Sequence, residues 1–434
     1  MKQLYSILKK QSPGRLIALG FTLTILLGAV LLLFPVSINP GEEVSFLDAL
    51  FTSTSAVCVT GLIAIDTAEH FTVFGRAVIA LLIQVGGLGV TAAGAGIMLA
   101  AGRRVGLKER WLVCESLNID SGKGVLRLLK TILLMTVCFE LSGAVFSFFV
   151  FVQDFPPLKA LEISVFHSIA AFNNAGFDIL GGLRSLTPYR TDLMLNLLTC
   201  VLIFWGGIGF LVIIDIWKSK SFRKLCLHSK SVLITSGALI LAGALLLKAT
   251  ENITWLGAFF QSVSARTAGF SSYSIGAFSD TGLFILILLM FIGASPGSTG
   301  GGIKTSTFFT LLQSIRGIMQ KKRAAAFHRS IPQKAIEKAH DILLLALLVV
   351  CTGTLLLCVL EPEYSFLRLL FEVVSAFGTV GLSTGITPGL GSASKLIIIF
   401  LMFVGRLGVL SLTSLWINHR PDHVHYVEES ITIG

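Results

Sequence analysis

The chain has 434 residues, of which 54% are hydrophobic and only 13% are charged. Soluble domains carry about 25% charged residues, and apolar stretches here run from Leu16 to Trp416, so the composition excludes a soluble domain with a single membrane anchor. The net charge of +10 does not indicate nucleic-acid binding, because the basic residues lie in links between apolar stretches, where they set the orientation of a membrane protein.

Eight apolar stretches are long enough to cross a bilayer, which takes roughly 20 residues. The first is interpreted as a retained span and not as a signal peptide, since the charged N-terminus has no short apolar core with a cleavage site. The predicted spans are residues 14–37, 72–101, 126–152, 190–217, 229–249, 281–316, 339–360 and 394–418.

A shorter apolar piece follows every odd-numbered span. At about a dozen residues these pieces are too short to cross the membrane, and they suit re-entrant helices that enter and turn back. They start near Phe46, Leu158, Thr254 and Phe366. The sequence therefore predicts an all-α membrane protein of four span–pore helix–span repeats, with eight transmembrane helices and four re-entrant pore helices around a central pore. The predicted repeats are residues 1–101, 102–227, 228–330 and 331–434.

Charge is distributed unequally between the two kinds of link. Links between repeats are basic and links within repeats are acidic, so the positive-inside rule places the former and both termini in the cytoplasm. An acidic outer face also favours the approach of cations. The basic positions include Arg103, Arg104, Arg110, Lys218, Lys220, Arg223, Lys321, Lys322 and Arg323, and the acidic ones include Glu42, Asp66, Asp154, Asp178, Glu251 and Glu361.

Each short piece ends at a glycine in a common register. A phenylalanine lies ten residues before each glycine and a small residue lies five before it. Four unrelated helix ends would explain the glycines but not these shared neighbours, so the pattern indicates four equivalent loops. The glycines are Gly61, Gly176, Gly269 and Gly381, the phenylalanines Phe51, Phe166, Phe259 and Phe371, and the small residues Ala56, Ala171, Ser264 and Ala376.

Four equivalent loops around one axis provide what a cation filter needs. A dehydrated monovalent cation is bound by rings of backbone carbonyl oxygens, and glycine supplies the positive φ angles that turn those carbonyls toward one axis. The C-terminal ends of the short helices add partial negative charge. The predicted ion-binding residues are Cys58, Val59, Thr60, Gly61, Asn173, Asn174, Ala175, Gly176, Arg266, Thr267, Ala268, Gly269, Gly378, Thr379, Val380 and Gly381.

Three of these positions carry polar side chains that need a separate account. Asn173 and Asn174 are expected to coordinate through their backbone, with their side chains tied behind the filter. The side chain of Arg266 must point away from the axis, since it would repel the cation, and Glu372 is a candidate partner for it.

The second span of each repeat contains a further glycine motif. Close helix packing between small residues explains the first two copies, 85–90 and 205–210. The third copy runs into the Gly- and Pro-rich residues 293–306, which cannot stay helical, so only the sixth span is expected to be broken. Unwound backbone at that depth needs a cavity or protein around it.

The fourth copy of this motif places Arg406 inside an apolar span. A charge there is costly and indicates a functional residue, and the alternative is interior pairing with carbonyls or a carboxylate. A nucleotide-binding phosphate loop at 297–305 is disfavoured, because Ile303 separates the last glycine from Lys304. The predicted gating residues are Gly293, Ser295, Pro296, Gly297, Ser298, Thr299, Gly300, Gly301, Gly302, Lys304 and Arg406.

The fourfold plan, the motifs at the four glycines and the broken sixth span resemble the Trk/Ktr/HKT superfamily of cation transporters, and the length is most similar to its KtrB-type potassium uptake subunits. The resemblance implies that the filter carbonyls bind potassium, that residues 293–306 form an intramembrane gating loop, and that Arg406 faces the pore beside that loop. Glycine at all four filter positions implies a preference for potassium over sodium.

The resemblance also implies partners. Such subunits form a homodimer in the plasma membrane on a cytoplasmic ring of RCK-type subunits that bind adenine nucleotides. The basic links near 103–110 and 316–329 are candidate docking surfaces, and the tail from Pro421 to Gly434 would help to hold the dimer. The expected cargo is K⁺, with Na⁺ as a further candidate, and no organic cofactor, nucleic-acid partner or enzymatic activity is expected.

Two alternative functions remain from the sequence. One is a sodium-permeable or sodium-coupled member of the same superfamily. The other is a secondary transporter that alternates the access of a site for a small solute. Such transporters usually show a twofold repeat with paired broken helices, so a fourfold register with one broken span argues against that alternative.

Overall fold

The computed structural model of the chain describes residues 13–100, 105–116, 124–410 and 429. Several predictions concern residues outside these ranges: the N-terminal lysines, Arg103 and Arg104, the last span beyond residue 410, and, apart from Glu429, the tail from Pro421 to Gly434.

Helices dominate the described chain, as the composition predicts. Helices α1 to α17 are Pro13–Leu32, Phe46–Val57, Thr67–His70, Val73–Leu88, Val90–Ala100, Leu107–Ser116, Val125–Phe151, Pro157–Phe172, Leu193–Gly207, Phe210–Ser219, Leu227–Thr250, Trp255–Ser264, Asp280–Phe291, Thr305–Met319, Gln333–Leu360, Phe366–Gly378 and Ser392–Leu407. The four short helices α2, α8, α12 and α16 start within about one residue of the predicted pieces.

Hydroxyl side chains cap several of these helices locally. Ser45 accepts a hydrogen bond from the amide of Asp48 before α2, and Thr254 accepts one from Gly257 before α12, both at 3.1 Å. A capping hydroxyl satisfies one of the amide groups that a helix start leaves free. The starts of these two short helices therefore depend on residues adjacent in the sequence.

A small hairpin departs from the all-α prediction. Strands β1 (Ala325–Ala326) and β2 (Arg329–Ser330) pair antiparallel in the basic link after α14. The two turn residues, Phe327 and His328, adopt positive φ angles of 51° and 61°, the geometry that tight hairpin turns require. The Phe327 ring stacks on Phe309 with centroids 6.3 Å apart, which anchors the hairpin to α14.

Four helices are individually long and apolar enough to cross a membrane: Gly14–Leu32, Val125–Phe151, Leu227–Thr250 and Gln333–Leu360. Two helix pairs pass the same test together but are bent, Val73–Leu88 with Val90–Leu99 by 102° and Leu193–Gly207 with Phe210–Ser219 by 95°. The described residues thus hold four such spans, or up to six if each bent pair is one span, in agreement with a multi-pass membrane protein.

The expectation that only the sixth span is broken is wrong. Gly89 interrupts the second predicted span and Gly209 the fourth, and Gly408 directly follows the end of α17; the φ angles of these glycines are 85°, 93° and 84°. Each is the last glycine of its second-span motif, and a glycine at positive φ ends a helix readily. The motif alone could not reveal this, because the same small residues also occur in continuous packed membrane helices.

The first three repeats share one packing contact, which fixes their register. In each, a serine of the short helix donates to a carbonyl of the preceding long helix, next to a glycine that leaves room for the hydroxyl. The serines are Ser53, Ser168 and Ser262, the carbonyls those of Ile25, Glu140 and Ile240 at 2.7, 2.6 and 2.7 Å, and the glycines Gly28, Gly143 and Gly243. Residues at matching positions can therefore be compared between repeats.

Candidate functional site

Four loops meet in a closed ring at the ends of the short helices. We call residues 58–61, 173–176, 266–269 and 378–381 the loop ring. A Cβ added to Gly176 would lie 2.7 Å from the carbonyl oxygen of Ala268 in the next loop. In the same way Gly61 faces the second loop, Gly269 the fourth, and Gly381 returns to the first. The contacts run through all four loops and close, so one chain encircles one axis.

The backbone of the loop ring has the same unusual conformation in all four loops. The motif glycines have φ angles of 89°, 66°, 78° and 94°. The residue two positions before each also has positive φ, and three of these four are β-branched. Such conformations cost about 1–3 kcal/mol each and cluster at functional sites. The non-glycine residues are Val59 (56°), Asn174 (58°), Thr267 (78°) and Thr379 (49°).

The amide groups of the loop ring point back to the short helices. The residue before each motif glycine donates its N–H to a carbonyl near the end of its own helix. The four bonds are Thr60 to Ser55 at 2.8 Å, Ala175 to Ala170 at 2.7 Å, Ala268 to Ser264 at 2.9 Å and Val380 to Ser375 at 2.9 Å. Because the donors are used behind the ring, the loops can offer acceptors to a guest at its centre.

The third loop is one residue shorter than its counterparts, which corrects the predicted register. Ser264 accepts from the loop as Ser55 does, but it lies five residues before its glycine and Ser55 lies six before. The buried counterpart of Phe51 is therefore Phe260, and the predicted Phe259 is only half-buried. Two adjacent phenylalanines hid the deletion from the sequence pattern.

The first glycines of the second-span motifs allow close packing against the short helices. A Cβ at Gly86, Gly206 or Gly405 would collide with the carbonyl of Val57, Phe172 or Phe377, four residues before each motif glycine. Backbone on both sides cannot move aside cheaply. The predicted role of small residues in helix packing is therefore visible here.

The two asparagines of the second loop are tied behind the ring by their side chains. The Asn173 Nδ2 donates to Gln84 Oε1 at 3.0 Å and to Glu140 Oε1 at 2.9 Å. The Asn174 amide lies 3.2 Å from the Thr267 hydroxyl. Gln84 and Glu140 were not among the predicted site residues; a carboxylate in the middle of an apolar span is the signal that could have revealed Glu140.

The expected pairing of Arg266 with Glu372 is wrong. The Arg266 guanidinium donates to the carbonyl of Gly293 at 3.3 Å. Glu372 instead accepts from the hydroxyls of Ser383 and Thr387 and from the Thr384 amide, at 2.7–2.8 Å. These donors lie 11 to 15 residues after Glu372 in the same repeat, and they are nearer to its carboxylate than Arg266, which belongs to another repeat. Glu372 thus fixes the residues that follow the fourth loop of the ring.

We expect Glu372→Gln to lower stability, since an amide presents an N–H to hydroxyls that now donate to a carboxylate. Hydrogen bonds to a charged acceptor contribute roughly 1.5–3 kcal/mol each. Thermal unfolding of the purified protein measures the effect, with the exposed Glu363→Gln as the matched control. Equal melting temperatures for the two variants would contradict this role.

Residues 292–304 form an unwound segment against the ring, on the side where the short helices end. The segment folds on itself through the Ala294 amide and the Gly301 carbonyl at 3.2 Å. Its Gly301 amide donates to Thr379 Oγ1 at 2.9 Å, and a Cβ at Gly300 would collide with the Thr267 hydroxyl. Glycine is needed here because the segment lies directly under two ring threonines.

This segment also contacts the second repeat. Its Ser295 amide donates to the Gly207 carbonyl at 3.0 Å, and its Gly297 carbonyl accepts from the Phe210 amide at 2.9 Å. Both contacts use groups that are free because the helix breaks at Gly209. The break in the fourth span, which the sequence did not predict, therefore provides the docking site for the predicted gating segment.

Arg406 joins this segment to the first repeat. Its guanidinium donates to the carbonyls of Thr299 and Gly86, and to that of Gly87 at 3.3 Å. These carbonyls belong to the unwound segment and to the end of α4. Within the segment, the Lys304 Nζ donates to the Gly300 carbonyl at 2.8 Å. The segment and Arg406 together touch all four repeats.

Two ion pairs link neighbouring repeats around the ring. The Arg76 Nε lies 3.0 Å from Glu162 Oε1, and the Lys395 Nζ lies 2.9 Å from Asp48 Oδ1. Arg76 and Lys395 hold the same position, nine residues before the second-span motif, and each pairs with the short helix of the next repeat. These pairs were not predicted, because their partners are distant in the sequence.

The chemistry available to the loop ring is that of backbone oxygen atoms. Within the described ranges, no group of three or more His, Cys, Asp or Glu side chains could hold a metal ion. Neutral carbonyl dipoles suit weakly hydrated monovalent cations. The arrangement therefore fits a site that such an ion occupies briefly and leaves.

Comparisons with known proteins agree with one another. The profile of the TrkH family, described as cation transport protein, matches residues 22–235 and 233–424. The Ktr system potassium uptake protein B of Bacillus subtilis is 38% identical over 98% of this chain and 97% of that protein. The potassium/sodium uptake protein NtpJ of Enterococcus hirae is 39% identical over 98% of both.

A solved structure has a similar fold. The crystal structure of the potassium transporter TrkH from Vibrio parahaemolyticus matches with a TM-score of 0.73, covering 94% of this chain and 85% of that one at 20% identity. At this identity the match concerns the fold alone, while the full-length sequence matches carry the relationship to the uptake proteins.

Proposed function

The chain belongs to the TrkH family of cation transport proteins, and on that premise we propose that it takes up potassium across the plasma membrane through a carbonyl-lined filter. The observation that carries the proposal is the closed ring of four loops. The family is one of transporters and not of enzymes. In the proposed mechanism, ions move down their electrochemical gradient and exchange water for ring carbonyls.

We assign eight transmembrane spans to the chain. The four long helices are the odd-numbered spans, and the two bent pairs are the second and fourth. Helices α13 and α14, joined by the unwound segment, make the sixth, and α17 begins the eighth. Helices α2, α8, α12 and α16 are then re-entrant, and the four repeats keep the bounds 1–101, 102–227, 228–330 and 331–434. Both termini lie in the cytoplasm.

Potassium is the proposed cargo because all four ring positions are glycine, which the resemblance associates with potassium preference. The name of the Enterococcus hirae relative includes sodium, so sodium permeation or coupling is the second candidate. One argument against an alternating-access transporter no longer applies, because the second and fourth predicted spans are interrupted as well as the sixth. The closed ring on one axis still favours a fixed filter over a site that alternates between two halves.

Residues 293–306 and Arg406 are the proposed gate. Several hydrogen bonds hold the segment across the axis, and a glycine-rich backbone without helical structure can rearrange at low cost. The relatives are named as parts of a Ktr system, which supports a multi-component assembly. We propose a homodimer on a cytoplasmic RCK-type ring that binds adenine nucleotides and shifts the gate.

Complementation tests the function. A bacterium lacking potassium uptake is expected to grow at low external potassium when it expresses this chain with an RCK subunit, and to take up potassium faster than sodium. The matched control is Gly176→Val, since its Cβ would enter the next loop. The proposal would be contradicted if well-inserted wild-type protein failed to rescue growth with every RCK partner tried.

A further inference from the structure

A small cavity lies behind the third loop of the ring. Its volume is about 20 Å³, room for one guest about as large as a water molecule. Apolar residues form most of its wall, among them Phe204 of α9 and Ile240 of α11. Two polar side chains, Ser236 and Arg266, complete it.

Both polar side chains are buried, and each has one polar atom without a hydrogen-bond partner in the described part of the chain. Arg266 is 8% exposed and Ser236 is 1% exposed. Among the described residues, Arg266 Nε and Ser236 Oγ have no hydrogen-bond partner. The guanidinium donates only to the Gly293 carbonyl, at 3.3 Å, and no carboxylate of the described chain forms an ion pair with it.

The second repeat has polar partners at the positions where the third repeat has apolar side chains. Counting back three residues from the ring glycines, Arg266 corresponds to Asn173. Asn173 donates to Glu140 and to Gln84. The shared serine contact aligns Glu140 with Ile240, and the second-span motif aligns Gln84 with Phe204. A neutral amide thus has two polar partners in one repeat, and a cation in the next faces two apolar side chains.

An unpaired charge in an apolar interior costs several kcal/mol unless it is neutralised. Guanidinium has five N–H donors and no acceptor, so the guest that compensates it must accept hydrogen bonds and carry negative charge. A cavity of about 20 Å³ favours a small anion over a tetrahedral oxyanion such as phosphate or sulfate. A water molecule would accept the hydrogen bonds but leave the charge.

We propose that the cavity binds a small monovalent anion of the size of chloride, held by the Arg266 Nε–H and the Ser236 hydroxyl. The anion takes the place of the carboxylate that the second repeat supplies through Glu140. It also cancels the positive charge next to the cation path, so the third loop becomes electrostatically equivalent to the others. The site does not depend on the proposed potassium function.

Bromide replacement tests the site in the intact wild-type protein. Crystals of the full chain grown with bromide in place of chloride are expected to show an anomalous scattering peak beside Arg266 Nε. In solution, exchange of chloride for gluconate at equal ionic strength is expected to lower the melting temperature by roughly 2–4 °C. Two results together would overturn the proposal. The cavity would show density for a water molecule and no anomalous peak, and the melting temperature would not depend on halide.

Variants distinguish the loss of anion binding from a general loss of stability. Ile240→Glu restores the carboxylate of the second repeat and is expected to abolish the halide dependence while keeping the protein folded. Ser236→Ala is expected to weaken it. Thr136→Val is the matched control, since Thr136 holds the same register position in the second repeat and is equally buried and unpartnered but does not line the cavity. A halide response reduced equally by Ser236→Ala and Thr136→Val would count against the site.

Discussion

Replacing Gly269 by serine is expected to remove most of the discrimination between potassium and sodium. The Cβ would collide with the Val380 carbonyl and lie 3.1 Å from the Cα atoms of Gly176 and Gly381. These neighbours are backbone of two other loops, so the ring must widen or lose its symmetry. A change of about 1.4 kcal/mol in relative binding already alters selectivity tenfold. We therefore expect the potassium/sodium flux ratio to fall at least about tenfold.

Gly385→Ser is the control for backbone strain. Gly385 also has a positive φ, of 92°, and lies four residues after the ring glycine Gly381, but an added Cβ there meets nothing within 4 Å. It therefore imposes the conformational cost on serine without entering the ring. Tracer uptake of both ions in whole cells measures the ratio. An unchanged ratio in well-expressed Gly269→Ser would exclude the ring as the filter.

Arg406→Gln is expected to raise uptake in the absence of any cytoplasmic partner. The guanidinium holds the unwound segment through Thr299 and anchors it to the first repeat through Gly86. Hydrogen bonds from a charged donor contribute roughly 1.5–3 kcal/mol, so their loss shifts the closed and open populations by about tenfold to a hundredfold. In the proposed mechanism, removing a fixed cation beside the ion path acts in the same direction.

Two further variants help to interpret the uptake of Arg406→Gln. Arg368→Gln removes an exposed arginine of the same repeat and is expected to leave uptake unchanged. A deletion within 297–302 removes the segment from the axis and should raise flux as Arg406→Gln does. Uptake abolished by the deletion in well-inserted protein would argue that the segment builds the path instead of closing it.

Much of the architecture could be predicted from the sequence because it depends on local properties. Hydropathy marks the long helices, and the short helices begin at the predicted positions because capping residues and apolar length act within a few residues. The ring glycines were predicted to be equivalent, and the structure brings all four together. Their ion-binding role remains a prediction.

Other features depend on contacts that no local pattern reveals. The third loop lost one residue, but the adjacent Phe259 and Phe260 preserved the apparent register. Gly89 and Gly209 were as compatible with continuous helices as with breaks. At Gly209 the groups freed by the break bind the unwound segment, and at the end of α4 the carbonyls of Gly86 and Gly87 accept from Arg406.

The sequence by itself therefore determined that this is a helical membrane protein with four equivalent glycine loops. Hydropathy and the repeated motif depend only on which residues occur at which spacing. Only the tertiary structure decided what each polar side chain meets. Glu372 binds the loop that follows its own helix, Arg406 joins the unwound segment to the first repeat, and Arg266 faces Ile240 where its counterpart contacts Glu140. The physical reason is that a buried charge is stabilised by whichever donors or acceptors the fold brings within about 3 Å, and these lie on other repeats or in loops.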